Sequence, residues 1–306
     1  MIDTAHLARI WQAHDLGTIR HVERPARGSV NTCLIVNDTL VARFATNDIK
    51  GSGRFAGEAR AYQLLAGAGL PVPQVVALDQ SHTLVPYDYL ISTRLPGTPI
   101  IDLWPDLTAA EQAGLAYEAG QALARIHGVR VRGFGNLYAG EAGRFERWPD
   151  YVRDYLTRYT ALARDLGVID AAFEARLFTA YARVEPQLAA VTQAALLHSD
   201  YQFENLLGEG AALTGVLDFE WALAGDPVWD LIVEDKWGVM CPGSHRHVMA
   251  GYEALRPLDP HHGPRLDLYK LLMHLESAVD AARSADVAWL GRSLRAVRDL
   301  LTRLLS

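Results

Sequence analysis

A predicted hairpin in the second half of the chain constrains the fold more than any other feature of the sequence. An apolar run, Ala194–Leu197, ends in a polar segment that carries Asp200 and Asn205. The hairpin follows directly, and its second strand, Leu213–Leu217, ends in Asp218. Because a hairpin returns the chain to its starting point, Asp218 comes back toward Asn205. The pattern therefore predicts oxygen-bearing side chains that meet at the ends of short, rigid elements.

These side chains match what phosphoryl transfer requires. One carboxylate can orient a hydroxyl group, while an amide oxygen and a second carboxylate can bind Mg²⁺. The spacing His198-x-Asp200-x4-Asn205 is that of a kinase catalytic loop. Asp218-Phe219-Glu220 stands where kinases carry a magnesium-binding Asp-Phe-Gly. Burial and like charge at such a cluster are expected to perturb pKa values.

Other kinds of site find less support in the sequence. His198, Asp200 and Asp218 can also form a metallohydrolase centre, but they lack the further His or Glu at helical spacing that zinc sites usually carry. His245-Arg246-His247 and His261-His262 are flanked by Gly and Pro, which favours loop residues over metal ligands. The sequence has no Gly-x4-Gly-Lys-Ser/Thr motif, which argues against a P-loop enzyme.

The composition is that of an ordinary globular protein. Half of the 306 residues are hydrophobic and 21% are charged, and the net charge of −7 argues against nucleic-acid binding while fitting a cationic small substrate. Cys33 and Cys241 indicate neither a disulfide framework nor a metal site. The first residues lack the pattern of a signal peptide, and no apolar run approaches the ~18 residues of a membrane span. We therefore expect a cytoplasmic monomer or homodimer without nucleic-acid or membrane partners.

The first third of the chain is predicted to be rich in strands. Strand-like runs separated by turns form the pattern of an antiparallel meander. The first turn, Gly28–Asn31, can lay backbone N–H groups over a phosphate, although an ordinary hairpin turn fits the same residues. Arg43 alternates with apolar neighbours, and Glu58 is expected in the first turn of the next helix. The predicted elements are a helix at 3–15, strands at 19–22, 32–36 and 39–45, a helix at 55–66, and strands at 74–78 and 87–92.

The sequence changes from strand-rich to helix-rich at Leu95–Gly97. We therefore predict an α+β fold with one lobe at residues 1–95 and a helical lobe at residues 96–306. Thr108 and Glu111 form a capping box at the start of a strong helix that ends at Ile126. Further helices are predicted around residues 151–159, 170–191, 228–239, 245–254, 265–284 and 286–305.

Taken together, these segments resemble the aminoglycoside phosphotransferase family, small-molecule kinases related to choline kinases. The resemblance implies a two-lobed protein-kinase-like fold, with a small antiparallel β-sheet in the N-terminal lobe and a mostly helical C-terminal lobe. It also implies ATP or GTP as phosphate donor and Mg²⁺ as cofactor. The matching segments, in family order, are residues 28–32, 40–44, 58–65, 69–73, 90–97, His198-Ser199-Asp200 with Asn205, 217–222, and Gly225-Asp226-Pro227 with Asp230-Leu231.

The resemblance implies a role for each matching side chain. Asp200 is implied to orient the acceptor hydroxyl and accept its proton, and Asn205 and Asp218 are implied to bind magnesium. Arg43 takes the place of a phosphate-binding Lys, and Glu58 that of its helix partner. An Arg at this position keeps the charge but changes the reach of the side chain. The other residues implied to contact the nucleotide are Gly28, Ser29, Asn31, Ser92, Thr93, Arg94 and Leu95, and those implied to brace the loop are His198, Asp226 and Asp230.

The acceptor is expected to lie between the catalytic loop and the C-terminal helices. Glu276 and Asp280 are four residues apart on one predicted helix and share a face. They can contribute to an anionic cup for a cationic acceptor, and a solvated helix face is the alternative. The acids predicted to bind the acceptor are Glu204, Glu220, Asp235, Glu276 and Asp280.

Three functions stay open at this point. The leading expectation is a kinase for an aminoglycoside or similar cationic antibiotic. The second is a metabolic kinase for a sugar, homoserine or a choline-like alcohol. The third is a nucleotide-binding protein without catalysis, against which intact Asp200, Asn205 and Asp218 argue.

Overall fold

A computed structural model describes residues 2–25, 31–46, 53–138 and 142–306, with the backbone alone for residues 234–236. The helices are α1 (Thr4–Ala13), α2 (Arg54–Ala66), α3 (Ile100–Leu103), α4 (Ala109–Ile126), α5 (Trp148–Asp165), α6 (Ala171–Ala189), α7 (Glu234–Met240), α8 (Ser244–Leu255), α9 (Gly263–Arg283) and α10 (Val287–Leu305). The strands are β1 (Val22–Glu23), β2 (Thr32–Val36), β3 (Leu40–Phe44), β4 (Val75–Asp79), β5 (Tyr89–Thr93), β6 (Thr98–Pro99), β7 (Arg130–Val131), β8 (Gly135–Asn136), β9 (Ala194–Leu197), β10 (Leu206–Glu209), β11 (Ala212–Val216) and β12 (Leu223–Gly225).

The N-terminal lobe is built on an antiparallel sheet, whose described strands follow the order β1-β2-β3-β5-β4. Helix α1 packs its buried residues Ile10 and Trp11 against apolar side chains of this sheet. The helix begins after Asp3, whose side chain accepts a hydrogen bond from the N–H of His6. Pairing within the sheet sets Arg43 on β3 between Cys33 on β2 and Leu90 on β5.

Helix α2 connects the two lobes through a shared apolar core. Its buried side chains include Phe55 and Tyr62, which belong to the same cluster as Leu90 of the sheet and Phe219 of the C-terminal lobe. The rings of Tyr62 and Phe219 meet edge to face with centroids 5.6 Å apart. The larger apolar core is therefore continuous from the sheet through α2 into the C-terminal lobe.

Strand pairing changes partners at the predicted lobe boundary. Strand β5 ends at Thr93, whereas β6 pairs with β10, the first strand of the β10–β11 hairpin. Gly97 lies between them with φ of +105°, and a Cβ there would lie 2.3 Å from Oγ1 of Thr214. Only glycine fits such a conformation at so close an approach. These observations support the boundary that we propose at residue 95.

The C-terminal lobe consists mainly of helices, with the described strands in two small sheets of order β11-β10-β6 and β7-β9-β12-β8. Helix α4 begins as predicted, because Thr108 and Glu111 form the capping box. Helix α9 packs against both α5 and α10. Among the described residues no helix is long and apolar enough to cross a membrane. The two-lobed arrangement confirms the predicted α+β fold.

Helices α4 and α8 cross through facing glycines. A Cβ on Gly120 would lie 1.9 Å from the carbonyl oxygen of Val248, and a Cβ on Gly251 would lie 2.0 Å from that of Tyr117. Side chains other than hydrogen therefore cannot be accommodated without moving one backbone away from the other. The crossing brings the end of α4 close to α8, so that polar side chains of the two helices can meet.

Some predicted element bounds were wrong. The first strand covers Val22–Glu23 rather than residues 19–22. The predicted helix at 228–239 is a 3₁₀ helix, Pro227–Val233, followed by α7, because Asp226 accepts the N–H of Val228 and tightens the first turn. Glu58 lies in the second turn of α2, which starts at Arg54, so its position does not follow from the helix dipole.

Candidate active site

The predicted catalytic loop is closed by contacts between its own side chains. The amide nitrogen of Asn205 donates to the carbonyl oxygen of Asp200 at 2.9 Å and to Oδ2 of its carboxylate at 3.2 Å. The amide of Gln202 donates to Oδ1 of the same carboxylate. The hairpin then returns, and the N–H of Leu217 donates to the carbonyl oxygen of Asn205 at 2.8 Å. The carboxylate of Asp200 is therefore held in one position at the end of β9.

Asp230 binds the backbone at the start of the predicted catalytic loop. Its Oδ2 accepts the backbone N–H of His198 at 2.8 Å, and its Oδ1 accepts that of Ser199 at 2.7 Å. Ser199 has φ of +64°, a left-handed conformation that non-glycine residues adopt at a cost. The imidazole of His198 contacts the carbonyl oxygen of Leu217 through Nε2 at 2.8 Å. A buried carboxylate thus fixes the strained backbone that precedes Asp200.

A chain of polar contacts extends from Asp230 to helix α8. Nε2 of His127, at the end of α4, lies 3.0 Å from Oδ2 of Asp230, and Nδ1 lies 2.9 Å from the hydroxyl of Tyr252. A neutral imidazole with its proton on Nε2 satisfies both contacts. His127 and Asp230 are fully buried, so these hydrogen bonds replace the water that the groups lose on folding.

Arg43 lies at the centre of a cluster of carboxylates between the lobes. Its Nη1 is 2.5 Å from Oε1 of Glu58, and its Nη2 is 3.0 Å from Oδ1 of Asp218 and 3.1 Å from Oε2 of Glu220. Asn31 donates its amide hydrogen to Oε2 of Glu220 at 2.6 Å. We name Arg43, Glu58, Asp218, Glu220 and Asn31 the Arg43 cluster.

Burial shapes the electrostatics of this cluster. Burial acts to lower the pKa of Arg43, but the carboxylates of Glu58 and Asp218 outweigh it and raise that pKa, so the guanidinium stays charged. Burial raises the pKa of Glu58. The hydroxyl of Tyr62 donates to Oε1 of Glu58 at 2.7 Å and accepts the N–H of Asp218 at 3.1 Å. Burial and the charge of Glu58 raise the pKa of Tyr62 well above its usual range, so this bridging hydroxyl stays protonated.

Asn205 and Asp218 carry oxygen atoms of the kind that magnesium prefers. Because the amide nitrogen of Asn205 is engaged with Asp200, its Oδ1 is the ligand atom that it can offer. Asp218 is about one third exposed and has φ of +64°, which turns it out of the hairpin toward Arg43. The donor set therefore fits a hard divalent cation.

The segment predicted to bind the nucleotide base uses part of its backbone within the N-terminal lobe. The N–H of Thr93 donates to the carbonyl oxygen of Gln74 at 2.9 Å, and the N–H of Arg94 donates to that of Thr39 at 2.8 Å. Ser92 is buried at the end of β5, and Leu95 is half-buried. Base recognition here would use the other backbone groups of residues 92–95.

The first turn is described only in part. The predicted phosphate-contacting residues Gly28 and Ser29 lie outside the described residues, while Asn31 contacts Glu220. Glu220 was expected to face the acceptor, and it is buried beside Arg43 instead. Of the other predicted acceptor residues, Glu204 is exposed in the catalytic loop and the side chain of Asp235 lies outside the described part of the chain.

Glu276 and Asp280 lie on α9 as predicted, in different surroundings. The carboxylate of Glu276 accepts hydrogen bonds from the phenols of Tyr155 and Tyr159, one at each oxygen. Asp280 is exposed one turn further along the helix. Partial burial of its carboxylate, followed by the charge of Glu276, raises the pKa of Asp280.

Two arginines cover aromatic rings next to Glu276. The guanidinium carbon of Arg54 lies 3.6 Å from the ring centroid of Trp221 and 5.4 Å from that of Tyr138. The guanidinium carbon of Arg158 lies 5.3 Å from the ring centroid of Tyr155 and 5.2 Å from that of Tyr159. We name the set the acceptor-side cluster: Arg54, Tyr138, Tyr155, Arg158, Tyr159, Trp221 and Glu276.

Several of these residues were missed in the sequence. Gln202 lies within the catalytic loop, where its contact with Asp200 was not anticipated. His127 carries a weak signal, since a polar residue ends an otherwise apolar helix face. Tyr62 lies on a helix that the sequence predicted, and Arg54 directly precedes the predicted start of that helix. No periodicity identifies their partners, which are distant in the chain.

One known protein family matches most of this chain. The sequence model of the phosphotransferase enzyme family (APH) matches residues 21–238, well over half of the chain. The chain belongs to the phosphotransferase enzyme family. The family match covers the Arg43 cluster and the whole catalytic loop, and it confirms the resemblance found in the sequence.

Curated relatives in the family differ in what they act on. The chain is 24% identical over 175 residues to hygromycin-B 4-O-kinase of Escherichia coli, covering 56% of this chain and 49% of the relative. It is 27% identical over 226 residues to N-acetylmuramate/N-acetylglucosamine kinase of Caulobacter vibrioides, covering 66% of this chain and 57% of the relative. It is also 27% identical over 177 residues to acyl-CoA dehydrogenase family member 10 of Mus musculus, covering 57% of this chain and 16% of the relative. The chain thus spans less than two thirds of each relative.

Solved structures of phosphotransferases share the fold over nearly the full chain. The apo form of a thermostable mutant of aminoglycoside phosphotransferase APH(4)-Ia superposes with a TM-score of 0.73 at 17% identity, covering 97% of this chain and 98% of that one. The GDP complex of wild-type aminoglycoside 2'-phosphotransferase-IIIa superposes with a TM-score of 0.66 at 17% identity, covering 98% of this chain and 99% of that one. These similarities confirm the predicted kinase-like fold.

Proposed function

We propose that this chain transfers the terminal phosphate of ATP or GTP to a hydroxyl group of a small molecule. One observation carries the proposal: Arg43 contacts Asp218, the backbone of the preceding Leu217 contacts Asn205, and Asn205 contacts Asp200, so that the series connects the two lobes. The series presents a cation, oxygen ligands and a carboxylate in the order that phosphoryl transfer needs. Membership of the phosphotransferase family supports the same activity.

Each residue in the series contributes through position and charge. Arg43 binds the donor phosphates, and its permanent charge offsets the charge that they carry. Glu58 and Glu220 hold the guanidinium in place from two sides. Asp200 orients the acceptor hydroxyl and takes its proton, while Gln202 and Asn205 fix the carboxylate. Rates of this reaction depend mostly on such alignment.

Magnesium is the cofactor that we propose for the reaction. Asn205 and Asp218 would hold it, through Oδ1 of the amide and the carboxylate. When bound, Mg²⁺ neutralises charge on the donor phosphates. Asp218 contacts Arg43 in the present structure, so a bound metal ion would share this carboxylate with the guanidinium.

Two acceptor classes follow from the sequence and from the relatives. A kinase of each kind, one for hygromycin B and one for N-acetylated sugars, is similar to this chain. The sequence favours a cationic antibiotic as the acceptor, since the net charge is negative and acids were expected at the acceptor side. The alternative is a metabolic acceptor such as a sugar. The positive charge of Arg54, which covers the ring of Trp221, favours such an acceptor over a polycation.

Replacement of the catalytic carboxylate tests the proposal. In Asp200→Ala and Asp200→Asn, we expect transfer to any acceptor to fall by at least about 10²-fold because the hydroxyl loses its orienting base. Nucleotide binding, measured by thermal shift with Mg²⁺ and ATP or GTP, should persist. Asp165→Asn, an exposed acid at the end of α5, is the control. Undiminished transfer in Asp200→Asn would contradict the assignment, and nucleotide binding without transfer to any acceptor would favour a non-catalytic nucleotide-binding protein.

A further inference from the structure

The acceptor-side cluster lies beside the Arg43 cluster, because residues of the two clusters are near neighbours in the sequence at two places. Arg54 precedes Phe55, whose ring centroid is 5.4 Å from the guanidinium carbon of Arg43. Trp221 follows Glu220, which is ion-paired with Arg43. A molecule bound at Arg54 and Trp221 is therefore adjacent to the site where the donor phosphate is expected, which is where an acceptor has to be.

The charges in this cluster are unfavourable for a polycation. Arg54 covers the face of Trp221, and Arg158 lies over Tyr155 and Tyr159, so these ring faces already contact cations. A cationic acceptor would have to displace an arginine from the ring that attracts it. Glu276 is the carboxylate at the centre, and both of its oxygens already accept phenol hydrogens.

Arg54 itself has an unused hydrogen-bond donor. Within the described part of the chain, its Nη1 has no hydrogen-bond partner and is shielded from water. Burial lowers the pKa of Arg54, and this is offset in part by Tyr138, Tyr159 and Glu276. A shielded guanidinium nitrogen without an acceptor is costly, and an incoming carboxylate relieves that cost with a strong, charge-assisted hydrogen bond.

We infer that the acceptor is a hydroxyl compound that also carries a carboxylate, which Arg54 binds while the adjacent aromatic rings contact its carbon skeleton. The inference rests on the proposed phosphoryl transfer and names the substrate class of that same site. It assigns Arg54 the role of specificity-determining residue. Arg158, which is exposed at the rim, adds positive charge on the same side.

The test compares matched acceptors with the full chain, Mg²⁺ and ATP or GTP. N-acetylmuramate and N-acetylglucosamine form a pair in which the first carries a carboxylate and the second does not, and hygromycin B is the polycationic probe. We expect kcat/KM for N-acetylmuramate to exceed that of the other two by roughly 10- to 100-fold, the value of one charged hydrogen bond. Acceptor binding is measured in parallel by calorimetry with a non-hydrolysable nucleotide, so that the result does not depend on turnover.

Variants at Arg54 locate the effect. Arg54→Gln should raise KM for N-acetylmuramate by about tenfold or more, and Arg54→Lys should restore part of the loss, because the charge is kept. KM for the nucleotide should stay unchanged in both. Arg60→Gln, on the same helix, is the matched control.

The possible outcomes separate the inference from the proposed function. Three results would overturn the inference and leave phosphoryl transfer intact. The first is a preference for hygromycin B or N-acetylglucosamine over N-acetylmuramate. The others are an Arg54→Gln effect that is equal on all acceptors, and one that changes KM for the nucleotide rather than for the acceptor. Absence of N-acetylmuramate binding in the calorimeter also overturns it. Binding of N-acetylmuramate through Arg54 without transfer to any acceptor would support the inference and contradict the proposed function.

Discussion

The hydroxyl of Tyr252 lies 2.9 Å from Nδ1 of His127, and this contact is the outer end of a buried chain that terminates at the catalytic loop. The other ring nitrogen of His127 contacts Asp230, whose carboxylate accepts the backbone N–H groups of His198 and Ser199. Helix α8 thereby supports the position of Asp200 without touching it. His127 and Tyr252 are positioning residues in this arrangement.

Replacement of His127 should therefore reduce turnover more than nucleotide binding. In His127→Ala we expect kcat to fall roughly 10- to 100-fold, because Asp230 loses a partner and the backbone before Asp200 is less well fixed. Tyr252→Phe removes only the outer hydrogen bond and should have a smaller effect. Steady-state kinetics well below the unfolding temperature provide the measurement, with Tyr117→Phe, a partly exposed tyrosine on α4, as the control. A loss of kcat that merely follows the unfolded fraction would argue against positioning.

The ion pair between Arg43 and Glu58 should control nucleotide affinity. Glu58→Gln keeps the shape of the side chain and removes its charge, so that Asp218 and Glu220 are the carboxylates that remain at the guanidinium among the described residues. We expect KM for the nucleotide to rise by about tenfold, because this ion pair positions the phosphate-binding cation in kinases. Glu209→Gln, an exposed acid at the end of β10, is the comparison. An unchanged nucleotide KM in Glu58→Gln would show that Asp218 and Glu220 suffice.

The glycine crossing of α4 and α8 should be intolerant of a methyl group. Gly120→Ala places a Cβ 1.9 Å from a carbonyl oxygen, so the helices must separate, at a cost of about 1–3 kcal/mol or more. Gly114→Ala on the same helix is the matched control, since a Cβ there meets nothing within 4 Å and alanine favours the helix by roughly 0.5–1 kcal/mol. Urea unfolding should therefore shift the two midpoints in opposite directions. Equal midpoints would mean that the crossing adapts easily.

Stability should fall steeply in alkaline solution. Burial, then the charge of Glu276, raises the pKa of Tyr155, and burial, then Asp226, raises that of Tyr269, both well above the usual range. Above pH ~10 these phenols ionise in the unfolded chain but not in the folded one. The unfolded state then binds fewer protons, so the free energy of unfolding drops by about 1.4 kcal/mol per pH unit for each group.

Urea unfolding between pH ~8 and ~11, with tyrosinate absorbance recorded alongside, measures this dependence around the ordinary phenol pKa. Tyr155→Phe removes one titrating group, so the free energy of unfolding should fall less steeply with pH. A slope that is equal in Tyr155→Phe and in the parent chain would contradict the role of Tyr155. Stability that rises with pH would contradict the sign of the whole effect.

Local chemistry explains why much of the fold could be predicted from the sequence. The capping box of Thr108 and Glu111 and the catalytic hairpin depend on residues close together in the chain, and the structure contains both. The capping box and the hairpin needed only patterns of a few residues. The bracing role of Asp230 was implied by the family resemblance, and its carboxylate contacts the backbone of the loop.

Contacts between distant segments could not be predicted in the same way. Glu220 was expected to bind the acceptor, yet it is buried beside Arg43, which precedes it by 177 residues in the chain. Arg54 meets Trp221 across a comparable separation, and no spacing rule relates the two positions. Such pairs are set by how the lobes dock, which local propensity does not encode.

Helix α2 contributes its buried side chains to the core that also contains the C-terminal helices. A fragment ending at residue 95 would expose Tyr62, whose ring packs against Phe219 of the C-terminal lobe, so the lobe is unsuited to isolation. Unfolding should be cooperative across both lobes, because neither can lose its packing on this helix without disturbing the other. A nucleotide bound to the sheet would then slow hydrogen exchange in helices that it never touches.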